Sequence, residues 1–391
     1  MSPPKPIVFT VFEPSGDVLA ARLIAELKQR QPEREIFALG GPQMEAAGAE
    51  LLETTTEHAK MGFGAASEAR QLLRRKALLR NWLKENDIAA LVPTDSPAAN
   101  WSMCRAVRST RPEAKIVHLV GPQIWAWATW RIRRLQNLSD HVMCLLPFEP
   151  EWFGSRGVAS TFVGHPLYEA DAASVDPADV LTTENQPMQD GQPKLALLPG
   201  SRPKEIALNW PTMLKVYDQL RHRRQDLAVT VAAVDQARAK QVMQLCPGGR
   251  TPRGVRVVVG QTQAVLDWAD AALVVSGTAT LQAASRNTPL VALYNANMLG
   301  WKTLGKLLIK ARTFALPNVI GESLEDVGRV IPELIPHDGS PEPVLAALNP
   351  VLGEGPERDK QLEGFAALKS AFGSTRFHEA AADTLLNEAP N

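Results

Sequence analysis

The chain has 391 residues, 45% of them hydrophobic, with 42 Lys and Arg against 42 Asp and Glu. At about 100–200 residues per domain, this length predicts two domains with large cores. The balanced, apolar composition excludes general disorder, and the zero net charge argues against nucleic acid as a partner, since such binders need a basic excess. The three cysteines form no C-x-x-C pair, so we expect neither a disulfide framework nor a zinc knuckle. We therefore expect the protein in a reducing compartment.

No uncharged run is long enough to cross a bilayer. A span needs about 20 consecutive apolar residues, and the most promising run, Ile116 to Trp130, is shorter and contains His118 and Gln123. The N-terminal apolar run Ile7–Phe12 has no small-residue cleavage site behind it, so we expect a buried strand there and no signal peptide.

Short apolar runs alternate with helical patterns in the first half, which predicts parallel βαβ units. The predicted strands are Ile7–Phe12, Ile36–Leu39, Ala89–Val92, Ile116–Val120, Val142–Leu145 and Thr161–Val163. A second series begins after an acidic, poorly periodic stretch, with predicted strands at Leu195–Leu198, Leu227–Ala233, Val255–Val258, Ala271–Val275 and Leu290–Tyr294. Helical periodicity returns near Ser340–Leu352 and Asp359–Leu386.

These elements predict an α/β protein with two doubly wound Rossmann-like domains that face a central cleft. We expect the first domain at residues 1–168, a linker at 169–193, the second domain at 194–352 and C-terminal helices at 353–391. Those helices can pack back on the N-terminal domain or on a second subunit, so a homodimer stays an option. Sheets of this kind bind ligands at the carboxyl ends of their strands, so the following loops should hold the chemistry.

The first predicted strand ends in Glu13-Pro14-Ser15-Gly16-Asp17, just before an amphipathic helical run. A strand, a turn of small residues and a helix start form an anion-binding site from free backbone N–H groups and the helix dipole. A simpler interpretation is that Ser15 or Asp17 only caps the helix, and the pattern by itself favours it.

Two turns of the second domain share this character. Gly200, Ser201 and Arg202 follow its first strand, where the arginine can grip a diphosphate with paired donors. Ser276, Gly277 and Thr278 follow another strand and combine hydroxyls with a helix start. An ordinary strand-to-helix connection with a capping serine or threonine would have the same sequence pattern. Two such turns in one domain, one of them with an arginine, nevertheless predict a site for a nucleotide diphosphate.

Asp95 stands between two prolines at the end of a predicted strand. A carboxylate at this place can accept a proton from a substrate hydroxyl. The alternative is an aspartate that hydrogen-bonds its own turn, and sequence alone favours that alternative.

Two basic, aromatic stretches look like surfaces. Trp301 shares a helical face with leucines while Lys302, Lys306 and Lys310 form another face, which suits anionic lipid headgroups. A helix packed on its own core is an equal alternative. The second cluster contains Trp125, Trp127 and Trp130 with Arg131, Arg133 and Arg134. The histidines are scattered and form no metal motif, so we expect neither a metal nor another cofactor.

An ordered set of motifs resembles the lipid-A-disaccharide synthase family. It comprises Glu13-x-Ser15-Gly16-Asp17, Gly40-Gly41-Pro42-Gln43-Met44, Met61-Gly62, Asp95-x-Pro97, Trp125-Ala126-Trp127, Leu146-Pro147-Phe148-Glu149, Gly164-His165-Pro166, Leu198-Pro199-Gly200-Ser201-Arg202-x-x-Glu205, Ser276-Gly277-Thr278-Ala279-Thr280 and Leu316-Pro317-Asn318. Each motif is weakly specific, whereas the ordered set is strongly specific.

The resemblance implies a metal-independent glycosyltransferase of the two-Rossmann B type. Such an enzyme transfers 2,3-diacylglucosamine from UDP-2,3-diacylglucosamine to the 6-hydroxyl of 2,3-diacylglucosamine 1-phosphate, with inversion, and forms the β-1,6-linked lipid A disaccharide. It implies a cytoplasmic protein bound peripherally to the inner-membrane surface. By motif position, Asp95 is the general base and Arg202 the important arginine.

The same resemblance places further binding residues. Ser15, Gly16, Gly200, Ser201, Arg202, Ser276, Gly277, Thr278 and Gln282 are expected to bind the nucleotide diphosphate, and Glu13, Met61 and Asn318 the substrates. This chain departs from the family pattern at Ala98, Gln282, Asn295 and Gly121-Pro122-Gln123. Each departure removes a polar or charged group from an expected cleft.

Three hypotheses stay open. The chain is a divergent but active lipid-A-disaccharide synthase, a related nucleotide-sugar glycosyltransferase with another acceptor, or a non-catalytic relative that binds a lipid or nucleotide sugar. We prefer the first, because Asp95, Arg202 and Asn318 all remain.

Overall fold

A computed structural model describes residues 4–56, 65–126, 128–169, 176–296 and 313–389. The chain divides into two compact units, one formed by Met1–Glu169 with Ser374–Asn391 and the other by Ala170–Gly373. Each unit is built on one parallel sheet. Among the described helices, none has the length and hydrophobicity that a bilayer span requires.

The first unit contains a seven-stranded sheet in the order β3-β2-β1-β4-β5-β6-β7. Its strands are β1 (Ile7–Val11), β2 (Ile36–Gly40), β3 (Glu50–Thr54), β4 (Ala90–Thr94), β5 (Lys115–Leu119), β6 (His141–Cys144) and β7 (Ser160–Phe162). Its helices up to the end of the sheet are α1 (Pro14–Arg30), α2 (Pro42–Ala46), α3 (Ala65–Glu85), α4 (Pro97–Thr110), α5 (Ile132–Leu138) and α6 (Glu149–Gly154). The strand order reverses between β1 and β4, the place where such sheets bind ligands.

The second unit contains a six-stranded sheet in the order β10-β9-β8-β11-β12-β13. Its strands are β8 (Lys194–Leu198), β9 (Ala228–Ala233), β10 (Val255–Val259), β11 (Ala271–Val275), β12 (Leu290–Asn295) and β13 (Glu333–His337). Its helices are α7 (Pro203–Arg223), α8 (Gln236–Gln244), α9 (Thr262–Trp268), α10 (Thr278–Ser285), α11 (Leu316–Ser323), α12 (Pro341–Leu348) and α13 (Pro356–Phe372). Here the order reverses between β8 and β11.

The C-terminal helices belong to different units. A single helical pattern was expected over Asp359–Leu386, but α13 ends at Phe372, because the next residue, Gly373, has a φ of 65° that stops the helix. The last helix, α14 (Phe377–Glu388), then packs on α1 in the first unit. Part of the expected linker also lies in the second unit, since Val180 is buried there and the Thr183 N–H donates to the carbonyl of Val257 at 2.8 Å.

Helices cover both faces of the first sheet, as β1 shows. Ile7 and Phe9 are buried against α1 and α14, whereas Val8 faces the core formed with α3 and α4. A strand buried on both faces must be continuously apolar. The sequence pattern of β1 therefore reports its central position in the sheet.

The predicted doubly wound fold of each half is confirmed, and every predicted strand is present with ends shifted by two residues at most. The sequence analysis missed β3 and β13. Both are edge strands. Glu50 and Glu53 interrupt the first and Pro336 the second, because an edge needs neither a full apolar pattern nor every ladder hydrogen bond.

Candidate functional site

The turn after β4 carries Asp95 in an unusual backbone conformation. Asp95 has φ 49° and Ser96 has φ 38°, two consecutive left-handed residues without a glycine. Such conformations cost about 1–3 kcal/mol each and persist where the surroundings enforce them. The enforcing contact is the buried Asn100 of α4, whose Nδ2 donates to the carbonyls of Asp95 at 2.7 Å and Thr94 at 3.0 Å. The hydroxyl of Thr10 holds Asn100 in turn, at 2.7 Å from Oδ1.

Asn100 and Thr10 are buried polar residues behind the Asp95 turn that sequence reasoning missed. Their signal was a polar side chain inside an otherwise apolar run, which the burial of both confirms. Both amide donors and the oxygen of Asn100 are engaged, so the backbone of the Asp95 turn is held by three hydrogen bonds of this network, and the turn presents a partly exposed carboxylate at the carboxyl end of β4.

The loop after β1 lies against the Asp95 turn. The Ser96 hydroxyl donates to Oε1 of Glu13 at 3.0 Å. A Cβ at Gly16 would come within 2.9 Å of a side-chain carbon of β1 and 3.9 Å of the Asp95 Cβ, so glycine allows the close approach. Ser15 is exposed in the first turn of α1. The structure thus brings Glu13, Ser15 and Gly16 together with Asp95.

Asp17 does not cap its own helix. No side chain caps the N-terminus of α1. Instead the buried Asp17 carboxylate accepts the backbone N–H groups of Gly41, Gln43 and Met44 at 3.1–3.2 Å, at the start of α2. Asp17 therefore caps α2 and not α1, and in the first turn of α1 its own N–H donates to the carbonyl of Glu13 at 3.2 Å.

In the second unit, Gly200, Ser201 and Arg202 form a sharp turn between β8 and α7. Gly200 has φ 111°, and a Cβ there would lie 2.9 Å from the Cβ of Glu205. Oε2 of Glu205, the third residue of α7, accepts the N–H groups of Ser201 and Arg202 at 3.3 Å, which closes the turn onto the helix. The Arg202 side chain is 70% exposed and lies 3.4 Å from Glu205 Oε1. Its guanidinium is therefore accessible to a ligand.

The turn that follows β11 lies beside this one, because β8 and β11 are paired strands. Ser276 is partly exposed, and Gly277 and Thr278 are exposed at the start of α10. A Cβ built on Gly277 meets no atom within 4 Å, so the space in front of this backbone is open. Gln282, one turn further along α10, is partly exposed. The structure groups all seven second-unit residues expected at the nucleotide.

A second cation near this turn escaped the sequence analysis. Nε of Arg238 donates to the carbonyl of Ser201 at 3.2 Å, and its guanidinium lies 3.7 Å from Asp235. Asp235 also caps α8, accepting the N–H of Arg238 at 2.8 Å. The sequence signal that could have identified Arg238 was its position just after β9, because β9 neighbours β8 and the loops after both strands lie at the same edge of the sheet. Arg238 adds positive charge beside the expected diphosphate turn.

Asn318, expected at a substrate, is fully buried. Its Nδ2 donates to the carbonyl of Ile331 at 3.0 Å and to Glu333 at 3.1 Å, and its Oδ1 accepts the N–H groups of Val330 and Ile331 at 2.9 and 2.8 Å. These bonds fix α11 to the start of β13. The geometry therefore favours a structural role for this side chain over direct contact with a substrate.

Asn295 is likewise buried, although it was expected to line a cleft. Its Nδ2 donates to the Leu208 carbonyl at 2.9 Å and the Thr212 hydroxyl at 2.7 Å, and its backbone N–H donates to Asn209 at 2.7 Å. The side chain joins β12 to α7 inside the unit. This departure from the family pattern therefore lies in the interior of the unit.

Glu149 is a buried carboxylic acid at the start of α6, just after β6. Its Oε1 accepts the indole N–H of Trp125 at 3.0 Å, and its Oε2 accepts the N–H of Leu146 at 3.1 Å. Burial raises the pKa of the Glu149 carboxyl to about 7. Near neutral pH this group therefore carries a proton part of the time.

Several residues expected at a substrate or at the membrane surface fall outside the part of the chain that the structure describes, whereas α3 presents a basic surface that was not predicted. Met61, Trp127, Trp301, Lys302, Lys306 and Lys310 lie outside the described residues. The helix α3 exposes a basic face with a leucine at its centre, since Leu73 is 67% exposed and Arg70, Arg74, Arg80 and Lys84 are exposed as well.

Across the described ranges, no group of three or more His, Cys, Asp or Glu side chains is arranged to hold a metal ion.

Comparison with solved structures agrees with this architecture. The S. aureus MnaA-UDP co-structure matches 98% of this chain and 96% of its own with a TM-score of 0.64 at 13% identity. The UDP-GlcNAc 2-epimerase from Neisseria meningitidis bound to UDP-GlcNAc matches 97% and 99% with the same TM-score at 11% identity. These similarities show the fold, the two-Rossmann architecture of B-type glycosyltransferases, as predicted.

Sequence comparison identifies the family. The family model described as lipid-A-disaccharide synthetase matches residues 7–384. A lipid-A-disaccharide synthase of Myxococcus xanthus is 31% identical over 100% of this chain and 99% of its own length. One from Pseudomonas syringae pv. tomato is 31% identical over 94% and 93%. Because these matches span nearly the whole chain, this protein belongs to the lipid-A-disaccharide synthase family of glycosyltransferases.

Proposed function

We propose that this protein transfers 2,3-diacylglucosamine from UDP-2,3-diacylglucosamine to the 6-hydroxyl of 2,3-diacylglucosamine 1-phosphate, with inversion and without a metal ion. The observation that carries the proposal is the Asp95 turn. A carboxylate held by enforced backbone geometry at the ligand-binding edge of the sheet is suited to act as a base.

Asp95 accepts the proton of the acceptor 6-hydroxyl as its oxygen attacks the anomeric carbon. The bond from that carbon to the diphosphate breaks, and its electron pair leaves with UDP. Attack from the face opposite the leaving group turns an α-linked donor into a β-linked product. One base suffices for this single displacement, which agrees with one partly exposed aspartate on the turn.

The departing diphosphate gains negative charge and needs compensation. Arg202 offers an accessible guanidinium, Arg238 adds a second cation near Ser201, and the N-termini of α7 and α10 contribute helix dipoles. Two cations and two helix ends can supply the stabilisation that a divalent metal gives elsewhere. This supports the metal-independent form of the proposal.

Diacylated substrates reside in a membrane, so the enzyme must reach its surface. We infer peripheral binding to the cytoplasmic face of the inner membrane, through the basic sequence around Trp301 and Lys302 and the exposed basic face of α3. Basic side chains attract anionic headgroups, and an exposed leucine between them can enter the acyl boundary. A homodimer is compatible with this placement but is not required by it.

The direct test mixes the purified chain with both proposed substrates and follows UDP and the disaccharide by mass spectrometry, with and without a chelator. We expect the β-1,6-linked product at equal rates in both arms. Loss of product with chelator contradicts metal independence. Binding of UDP without disaccharide would favour another acceptor or a binding role, and a panel of acceptor monosaccharides separates these two.

A further inference from the structure

Trp125 is held in one orientation on the loop that follows β5. Its indole N–H donates to Glu149 at 3.0 Å, and its ring meets Phe148 edge-on, with centroids 5.1 Å apart and an interplanar angle of 81°. The side chain remains partly exposed. One edge of the indole is therefore anchored inside the protein while part of its surface faces outward.

Glu149 joins the loop after β5, which carries Trp125, to the loop after β6. It is 2% exposed and also accepts the Leu146 N–H at 3.1 Å. A Cβ at Gly121 would lie 3.2 Å from both carboxylate oxygens, so the loop after β5 passes directly over the carboxylate. A carboxylate buried this deeply costs free energy, and groups of this kind are concentrated at functional sites.

The anchored indole lies on the same edge of the sheet as Asp95. The Asp95 N–H donates to the carbonyl of Leu119, the last residue of β5, at 3.2 Å. Ile124, next to Trp125, packs in one core cluster with Trp101 of α4, the helix that starts just after Asp95. The loops carrying the proposed base and the tryptophan are therefore neighbours.

We propose that Trp125 is the aromatic platform for the sugar ring of the acceptor, and that Glu149 is the positioning residue that orients its indole. The C–H face of a pyranose is apolar and packs on an aromatic ring, while its hydroxyls hydrogen-bond around the edge. A platform beside the base holds the attacking hydroxyl in line, which lowers the entropic barrier. This inference rests on the proposed function, because it takes the acceptor to bind at Asp95.

The test measures kcat and the two KM values for Trp125→Leu, Trp125→Phe, Glu149→Leu, Glu149→Gln and the double variant Trp125→Leu/Glu149→Leu. We expect Trp125→Leu and Glu149→Leu each to raise the acceptor KM about tenfold while the donor KM stays unchanged. Glu149→Gln keeps an oxygen acceptor for the indole N–H, so its acceptor KM should stay close to wild type. Trp125→Phe keeps a ring but loses the bond to Glu149, so its acceptor KM should lie between those of wild type and Trp125→Leu.

The double variant separates positioning from an independent effect. If Glu149 acts through Trp125, the double variant is no worse than Trp125→Leu alone. Trp152→Leu is the matched control, because Trp152 is a partly buried tryptophan of α6 that stacks on Arg156 at 4.0 Å, and we expect it to keep the acceptor KM. An unchanged acceptor KM in Trp125→Leu, or effects that multiply in the double variant, overturn the inference.

Two further readouts keep folding and function distinct. A cooperative urea-unfolding transition, required of every variant, shows that the first unit is folded, and UDP affinity measured by calorimetry should be equal in all variants, because the expected diphosphate turns lie in the second unit. If wild type forms no disaccharide, the proposed function fails, and binding of 2,3-diacylglucosamine 1-phosphate then tests the platform by quenching of tryptophan fluorescence. Quenching that Trp125→Leu abolishes and Trp152→Leu retains supports the platform, and any other pattern contradicts it.

Discussion

The hydroxyl of Ser96 donates a 3.0 Å hydrogen bond to the carboxylate of Glu13, although 83 residues separate them in the chain. The bond joins the loops after β1 and β4, the two strands between which the sheet order reverses. Two motifs that are far apart in the sequence thus form one site with Asp95. The following expectations concern that site, its counterpart in the second unit and the surfaces around them.

Replacing Asp95 by Asn removes the proposed base without changing the size of the side chain. Because general bases contribute about 10²–10⁴-fold, we expect kcat to fall at least 100-fold while UDP affinity is unchanged. Asp87→Asn is the control, since Asp87 is 54% exposed and pairs with Lys5 in the same unit. Turnover at the wild-type rate in Asp95→Asn would remove this carboxylate from the base role.

Replacing Arg202 by Ala should weaken UDP binding. A charge-assisted hydrogen bond contributes about 1.5–3 kcal/mol, so the UDP dissociation constant should rise about 10- to 100-fold in calorimetry. Arg223→Ala, at the opposite end of α7, should leave it unchanged. If neither UDP affinity nor kcat responds to Arg202→Ala, the diphosphate binds elsewhere.

Replacing Asn318 by Ala should reduce stability more than it alters substrate binding. Its loss leaves the N–H groups of Val330 and Ile331 unpaired inside the unit. We expect the free energy of unfolding in urea to fall by about 2 kcal/mol or more, with unchanged KM values below the unfolding transition. Gln244→Ala, on the exposed surface of α8, is the control. A raised KM at unchanged stability would restore the substrate role.

Changing Lys302, Lys306 and Lys310 together to Glu should release the protein from vesicles that contain phosphatidylglycerol. Each basic residue near an anionic surface contributes about 1 kcal/mol, so cosedimentation should drop strongly. A control triple variant, Lys240, Lys360 and Lys369 to Glu, makes the same change in net charge at exposed positions elsewhere. Equal vesicle binding by both triple variants would assign the basic sequence to internal packing.

Stability should depend on pH through Glu149. Its pKa is raised by burial from 4.5 to about 7, so the folded state binds this proton more tightly than the unfolded chain. The resulting stabilisation is fully present below pH 4.5 and is lost as the pH rises through 7, by about 3 kcal/mol in total.

Glu149→Gln does not titrate and isolates this effect. Between pH 4.5 and 7.5, the unfolding free energy of wild type should fall relative to that of Glu149→Gln, as measured in urea at each pH. Glu151→Gln, an exposed position on the same helix, should follow wild type. Parallel curves for wild type and Glu149→Gln would contradict a buried, titrating carboxyl.

The sequence determined the fold because central parallel strands are buried on both faces. That burial forces continuous apolar runs, such as those of β1 and β11, which any reader of the sequence can find. Edge strands escape this requirement, and so β3 and β13 were missed. The helix break at Gly373 was also missed, because the amphipathic pattern continues in the helices on both sides of it and hides the interruption.

Motifs in the sequence also pointed to Asp95, Arg202 and the two glycine turns. These residues follow predicted strands, and the loops at the carboxyl ends of parallel strands lie at one edge of a sheet, where ligands bind. Tertiary structure decided what each side chain does there. Asn100 supports the Asp95 turn in the first unit and Arg238 contacts the Ser201 turn in the second, while Asn318, Asn295 and Asp17 point inward and bind backbone groups. A hydrogen-bonding partner distant in the chain is set by packing, and no local pattern encodes it.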